Sequence, residues 1–118
     1  MPVKKFSDVE ANPITAAKDT TIQVLISPDE APHFAMRRIE MQPGGSMPLH
    51  KNEVEHEQLV LGGRGRVILG DEVHEVSKDD VLFIPAGLKH SYETIGDESF
   101  VFMCLVPNKP DTTTICEE

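Results

Sequence analysis

Along most of the chain, apolar and polar residues either alternate at every second position or gather in short apolar runs. No window of helical length keeps an apolar stripe at i, i+3 and i+4. Side chains of a strand point in turn to its two faces, so this pattern predicts strands over residues 21–26, 34–42, 56–61, 64–69, 72–76, 81–84, 90–94 and 99–106. The breaks between them carry Pro43-Gly44-Gly45, Gly62-Gly63, Gly70-Asp71, Lys78-Asp79-Asp80, Pro85-Ala86-Gly87 and Gly96-Asp97, residue types that preset a bend or accept positive φ. Short strands at this spacing without helical crossovers predict an all-β sandwich, barrel or jelly roll.

In the last strand Phe100, Phe102, Cys104 and Val106 fall on one face and Val101, Met103 and Leu105 on the other. A strand apolar on both sides is expected to be covered on both sides, by the barrel interior and by a second subunit, which predicts a homodimer. Residues 1–18 and 108–118 carry little periodicity, so a single domain is expected with an N-terminal arm, a barrel core over about residues 20–107 and a mobile tail.

Composition narrows the class of partner. A chain of 118 residues with 39% hydrophobic and 26% charged side chains is sized and composed for one soluble globular core. The net charge of −9, with basic residues unclustered, argues against nucleic acid and anionic lipid. No apolar run is long enough to span a membrane, and the first residues lack the apolar middle of a secretory signal, so a cytoplasmic protein is expected. Cys104 lies in an apolar run and Cys116 in the polar tail, settings too different for a disulfide framework. Cys104 reads as a buried small hydrophobe ahead of a redox or site-supporting role, and Cys116 as an exposed free thiol.

Three of the five histidines lie beside turns or strand starts: His50 and His56 close together, His90 farther along. Adjacent strands of a β fold assemble a metal site from such an interval. His33 and His74 read as surface groups. By the two-residue repeat Gln58 shares a face with His56, and Tyr92 with His90, so both are candidate pocket donors or partners in the barrel wall. Arg37 alternates with Ile39 and Met41 and faces inward on the same count, to bind a substrate carboxylate or to form a structural ion pair.

The spacing around these histidines is specific. Gly44 is followed after five residues by His50, after one more by Asn52, after three by His56 and after six by Gly63. Farther on stand Asp79, Pro85, Gly87, His90 and Thr94. Both runs keep the register of the two cupin motifs. Asn52 and His56 stand where that family has His and Glu, while Asp79 and Thr94 stand where it has Gly and Asn. The chain resembles small single-domain cupins, in particular a thermophile manganese-binding group that holds its ion with four histidines. Val24-Leu25-Ile26, Pro43-Gly44-Gly45 and the closing Cys104-Leu105-Val106-Pro107 extend the likeness.

The resemblance implies a cupin double-stranded β-helix, a jelly-roll barrel. It also implies one divalent transition metal per chain (Mn, Fe, Ni, Cu or Zn) at His50, His56, His90 and the Asn52 position. Three roles are open to Asn52: a weak ligand through its amide oxygen, a partner for a metal-bound water, or the mark of a lost site. Glu53 and Glu55 read as solvated loop acids. Neutral ligands leave the full charge on the ion, which suits chelating, anionic small molecules and leaves positions open for substrate and dioxygen. The expectation is a metal-dependent, dioxygenase-like oxidoreductase in which Gln58, Tyr92 or Arg37 orients a chelating or unsaturated substrate. The alternatives are an isomerase or decarboxylase of a sugar or dicarboxylic acid, and a non-enzymatic binding or sensing barrel.

Overall fold

The computed structural model describes residues 3–116; the outermost residues of the expected arm and tail lie outside it. After a short 3-10 turn at Phe6–Asp8 the chain is all strand. Its strands are β1 (Ala11–Pro13), β2 (Lys18–Ile26), β3 (Phe34–Lys51), β4 (His56–Gly62), β5 (Arg64–Leu69), β6 (Glu72–Ser77), β7 (Val81–Ile84), β8 (His90–Ile95), β9 (Phe100–Pro107) and β10 (Thr114–Ile115). They form one rolled sheet in the order β6-β5-β8-β3-β9-β4-β7, with β2 and β10 also paired to β3, and β1 to β2. Among the described residues no helix is long and apolar enough to cross a membrane.

The eight predicted strands are present, with one informative difference. Pro43-Gly44-Gly45, expected to end a strand, lies inside the 18-residue β3. With Gly44 at φ +80° the strand bends and changes partners without stopping. Before the bend, Phe34 to Met41 pair with β9 on one side and β2 on the other. Beyond it, Ser46, Met47 and His50 pair with β8, and His50 and Lys51 with β10.

The tail also differs from expectation. β10 pairs antiparallel with β3 at Thr114 opposite Lys51 and Ile115 opposite His50, and the Cys116 amide donates to the Leu49 carbonyl at 2.8 Å. Cys116 is free, as expected, but half-buried. The N-terminal segment is tied down too. The buried Gln23 side chain donates to the carbonyls of Phe6 at 2.8 Å and Val9 at 2.9 Å, and Arg38 stacks over the Phe6 ring.

The core follows the alternation. Ile39, Met41, Val60, Val67, Phe100, Phe102 and Cys104 face inward and are buried, and Phe102 stacks on Tyr92 at 5.1 Å. Neighbouring strands put these side chains in rows: Ile39, Phe102 and Val60 lie side by side, as do Arg37, Cys104 and Gln58. On the outer face Val101, Met103 and Leu105 are half-buried, beside the more exposed Leu61, Val81 and Phe83.

Two turns show the backbone demand behind the sequence spacing. Asp79, in the place of a motif glycine, adopts φ +76°, so the left-handed conformation is kept and Asp meets it. Gly63 is at φ +72°, and a Cβ there would run into the backbone of Ser99 and Phe100, whereas one on Gly62 would meet nothing within 4 Å. Gly63→Ala is therefore expected to cost roughly 1–3 kcal/mol or more in urea unfolding, while Gly62→Ala stays within about 0.5 kcal/mol of wild type. Equal effects of the two substitutions would contradict this account.

Candidate metal and substrate site

Three strand ends bring the imidazoles together. His50, near the end of β3, is the cross-strand partner of His90 at the start of β8, and His56 opens β4. The ring centroids of His50 and His90 lie 4.1 Å apart and those of His56 and His90 6.1 Å apart. All three rings are buried.

Short local hydrogen bonds aim two of them. His50 Nδ1 lies 2.7 Å from the Pro48 carbonyl and His90 Nδ1 2.8 Å from the Leu88 carbonyl, each two residues back along the chain. A carbonyl only accepts, so each Nδ1 carries the proton and each Nε2 presents a lone pair. His56 Nδ1 lies 3.5 Å from Cys104 Sγ. The Nε2 atoms of His56 and His90 are buried without a hydrogen-bond partner among the described residues. A buried, unpaired ring nitrogen is costly, and its regular use is as a metal ligand.

Electrostatics keep these groups neutral. Burial, reinforced by the Arg37 cation and the neighbouring imidazoles, lowers His56 to about 4. Burial lowers His90 to about 4, against the opposing pull of the Leu88 carbonyl, and also lowers His50. Tyr92 is pushed upward by burial, so its hydroxyl stays protonated and acts as a hydrogen-bonding group.

Every residue singled out from the sequence as ligand or orienting group lines one cavity of about 290 Å³: His50, Asn52, His56 and His90, with Arg37, Gln58 and Tyr92. Gln58 Nε2 lies 2.9 Å from the Tyr92 hydroxyl and 3.5 Å from Cys104 Sγ. Arg37 Nη2 donates to Cys104 Sγ at 3.4 Å, and its Nε is buried and unpartnered among the described residues. Of the two roles open to Arg37 the ion pair does not form: among the described residues no carboxylate pairs with it. Glu53 and Glu55 are exposed and do not line the cavity, and His33 and His74 lie outside it.

The apolar walls were not legible in the motifs. Ile22, Ile39, Met47 and Phe102 come from the barrel strands, Ile14 and Ala16 from the connection between β1 and β2, and Thr113 and Ile115 from the tail. The two end segments meet at the cavity, although neither has the periodicity that marks a strand.

The donors suit a borderline divalent ion in chemistry, and His50 and His90 also in tautomer. A metal–nitrogen bond of about 2.0–2.1 Å puts an imidazole centroid about 3.2 Å from the ion, so two rings on one ion are separated by at most roughly 6.4 Å. The His50–His90 and His56–His90 separations fall inside that limit. Among the described residues no three His, Cys, Asp or Glu side chains already converge as a finished nest. Ion binding thus requires the rings to turn or a further donor, and the Oδ1 of Asn52, buried and without a partner among the described residues, lies in the same cavity wall.

A rolled β-barrel with a histidine-lined interior is the class that fold and site define. Residues 37–106 match the family model described as Cupin domain, and the chain belongs to the cupin family. Over its full length it superimposes on the polyketide cyclase RemF of Streptomyces resistomycificus with TM-score 0.88 and 33% identity, covering 88% of that chain. A cupin-2 domain protein of Rhodospirillum rubrum gives TM-score 0.85 at 26% identity, over 98% of this chain and 80% of the other. In sequence, the chain is 32% identical over 76 residues to the 1-methylthio-D-xylulose 5-phosphate methylsulfurylase of Rhodospirillum rubrum, over 64% of its own length. It spans about half of that relative, 49%.

Because burial lowers the histidines in the folded state, the unfolded chain takes up protons first as pH falls through about 6.5. Stability of the metal-free protein is therefore fully present above that pH and falls as pH drops toward about 4, where His56 and His90 themselves protonate. Melting curves across this range are expected to show the decline and to flatten in His90→Gln. A decline of equal size in His90→Gln would assign it to other groups.

Proposed function

We propose that this cupin is a divalent-metal enzyme acting on a small, largely apolar molecule that carries chelating oxygens, such as an enolisable polycarbonyl compound of the polyketide kind. The carrying observation is the pair of buried, unpartnered imidazole nitrogens beside an apolar-walled cavity. Oxygen-polarising chemistry without dioxygen (cyclisation, isomerisation or decarboxylation) is favoured by the whole-chain likeness to a polyketide cyclase and by the substantially apolar lining.

His50, His56 and His90 would hold the divalent ion, which would supply Lewis acidity to a substrate oxygen. The chain's own groups do the rest. Arg37, the one Lys or Arg among the described lining residues, attracts an enolate or carboxylate oxygen. Tyr92 donates its hydroxyl proton in a hydrogen bond to a substrate oxygen or to Gln58 Oε1, which it reaches at 3.2 Å. Ile39, Met47 and Phe102 exclude water and orient the apolar body.

The second reading is the dioxygenase-like oxidoreductase, favoured by an all-neutral imidazole set that leaves positions for dioxygen. Elemental analysis of untagged protein is expected to find about one transition-metal ion per chain, with affinity lowered on the order of 100-fold or more in His56→Ala. Turnover of a polycarbonyl substrate is expected to proceed equally in anaerobic and aerobic buffer. A strict need for dioxygen would select the second reading, and wild-type protein that takes up no ion would leave a non-enzymatic binding barrel.

The outer face of β4, β7 and β9 supports a homodimer. Val81 is 77% and Phe83 55% exposed there, on the free edge strand β7. Phe83→Glu is expected to shift the mass in analytical ultracentrifugation from dimer to monomer. A wild-type monomer at the same concentration would remove the dimer reading.

A further inference from the structure

Asn52 is held by a segment that the cupin match does not include. Its Nδ2 donates to Asp111 Oδ2 at 3.1 Å and to Thr113 Oγ1 at 2.8 Å. The other oxygen of Asp111 accepts the Glu53 amide at 2.7 Å. β10, immediately after, zips onto β3 opposite His50 and Lys51. An ionised carboxylate only accepts hydrogen bonds, so Asp111 dictates which end of the amide faces it. The NH₂ group must turn to the tail, and Oδ1 is left buried and without a partner among the described residues, in the wall shared with the imidazoles.

We infer that Asp111, supported by Thr113, is a positioning residue that presents the Asn52 amide oxygen to the metal site, so that docking of the 111–115 segment and binding of the ion are coupled. This rests on the metal reading proposed above. Asn52 then serves as a neutral oxygen acceptor, aimed from outside the barrel. The tail also becomes a condition of ion affinity, since a freed Asn52 amide rotates and offers NH₂ to the site as readily as oxygen. By linkage, an ion that favours the docked tail must tighten it by the same factor.

Exchanging the amide and the carboxylate separates positioning from folding. In Asp111→Asn the new amide keeps one acceptor for the Glu53 N–H and turns its NH₂ toward Asn52, which is satisfied only when Asn52 flips and sends its own NH₂ to the cavity. The double exchange Asn52→Asp with Asp111→Asn restores every partner and again presents an oxygen. Zn²⁺ alone, titrated calorimetrically into full-length metal-free protein, is the probe.

Asp111→Asn is expected to bind Zn²⁺ roughly 10–100-fold more weakly than wild type, with a metal-free melting curve close to wild type. The double exchange is expected to recover affinity to wild type or above. Zn²⁺ is also expected to slow proteolytic cleavage within residues 108–116 of the wild-type chain. Wild-type affinity in Asp111→Asn, alongside a His56→Ala variant that has lost the ion, would overturn the inference and leave the metal site standing. No recovery in the double exchange, or cleavage unaffected by Zn²⁺, would overturn it equally. A wild-type chain that takes up no ion would remove the metal reading and this inference together.

Discussion

The architecture hangs on one strand having to belong to two places. β3 pairs with β2 and β9 in its first half and with β8 and β10 in its second. A straight strand of that length would carry a flat sheet past the point of closure; the bend at Gly44 rolls it. Everything at the site follows. Arg37 enters the cavity from the first half, next to Cys104 on β9, while Met47 and His50 enter from the second half, next to Tyr92 and His90 on β8. Arg37 and the imidazoles thus line one space that a single curved ribbon encloses.

Within that space the chemistry is set by what burial forbids. Charged imidazoles are too costly there, so His56 and His90 are neutral throughout the physiological range. Two of the three rings take their tautomer from carbonyls two residues back along the chain. His56 instead leans on the Cys104 thiol, which also receives Arg37 and lies beside Gln58. The buried sulfur of Cys104 thus lies within hydrogen-bonding distance of Arg37, Gln58 and His56 together.

The barrel was legible because strand geometry writes itself into sequence at short range. Alternation put Phe100, Phe102 and Cys104 on one face, which is the buried one, and put Gln58 beside His56 and Tyr92 beside His90. Motif spacing assembled the three histidines, and even its departures obeyed the backbone, as Asp79 at positive φ shows. The continuity of β3 was not legible, because Pro-Gly-Gly reads as a turn and only tertiary pairing on both sides carries a strand through it. Asp111, Thr113 and Ile115 were missed for a related reason. Their contacts with Asn52 and His50 cross roughly sixty residues of chain, and no local period marks a segment whose order depends on a partner so distant in sequence.

The cavity therefore has two kinds of wall with different freedom to vary. Arg37, the histidines, Gln58 and Tyr92 stand on strands locked on both sides, where a change in one disturbs a whole row. Ile14, Ala16, Thr113 and Ile115 stand on short straps that cost the barrel little to exchange. On the reading proposed above, the groups that select a ligand and those that act on it stand on separable parts of the chain. A lineage can reshape one wall of the cavity by editing its straps while the histidines stay untouched, and Asp111 and Thr113, which both reach Asn52 from one strap, tie the two walls together.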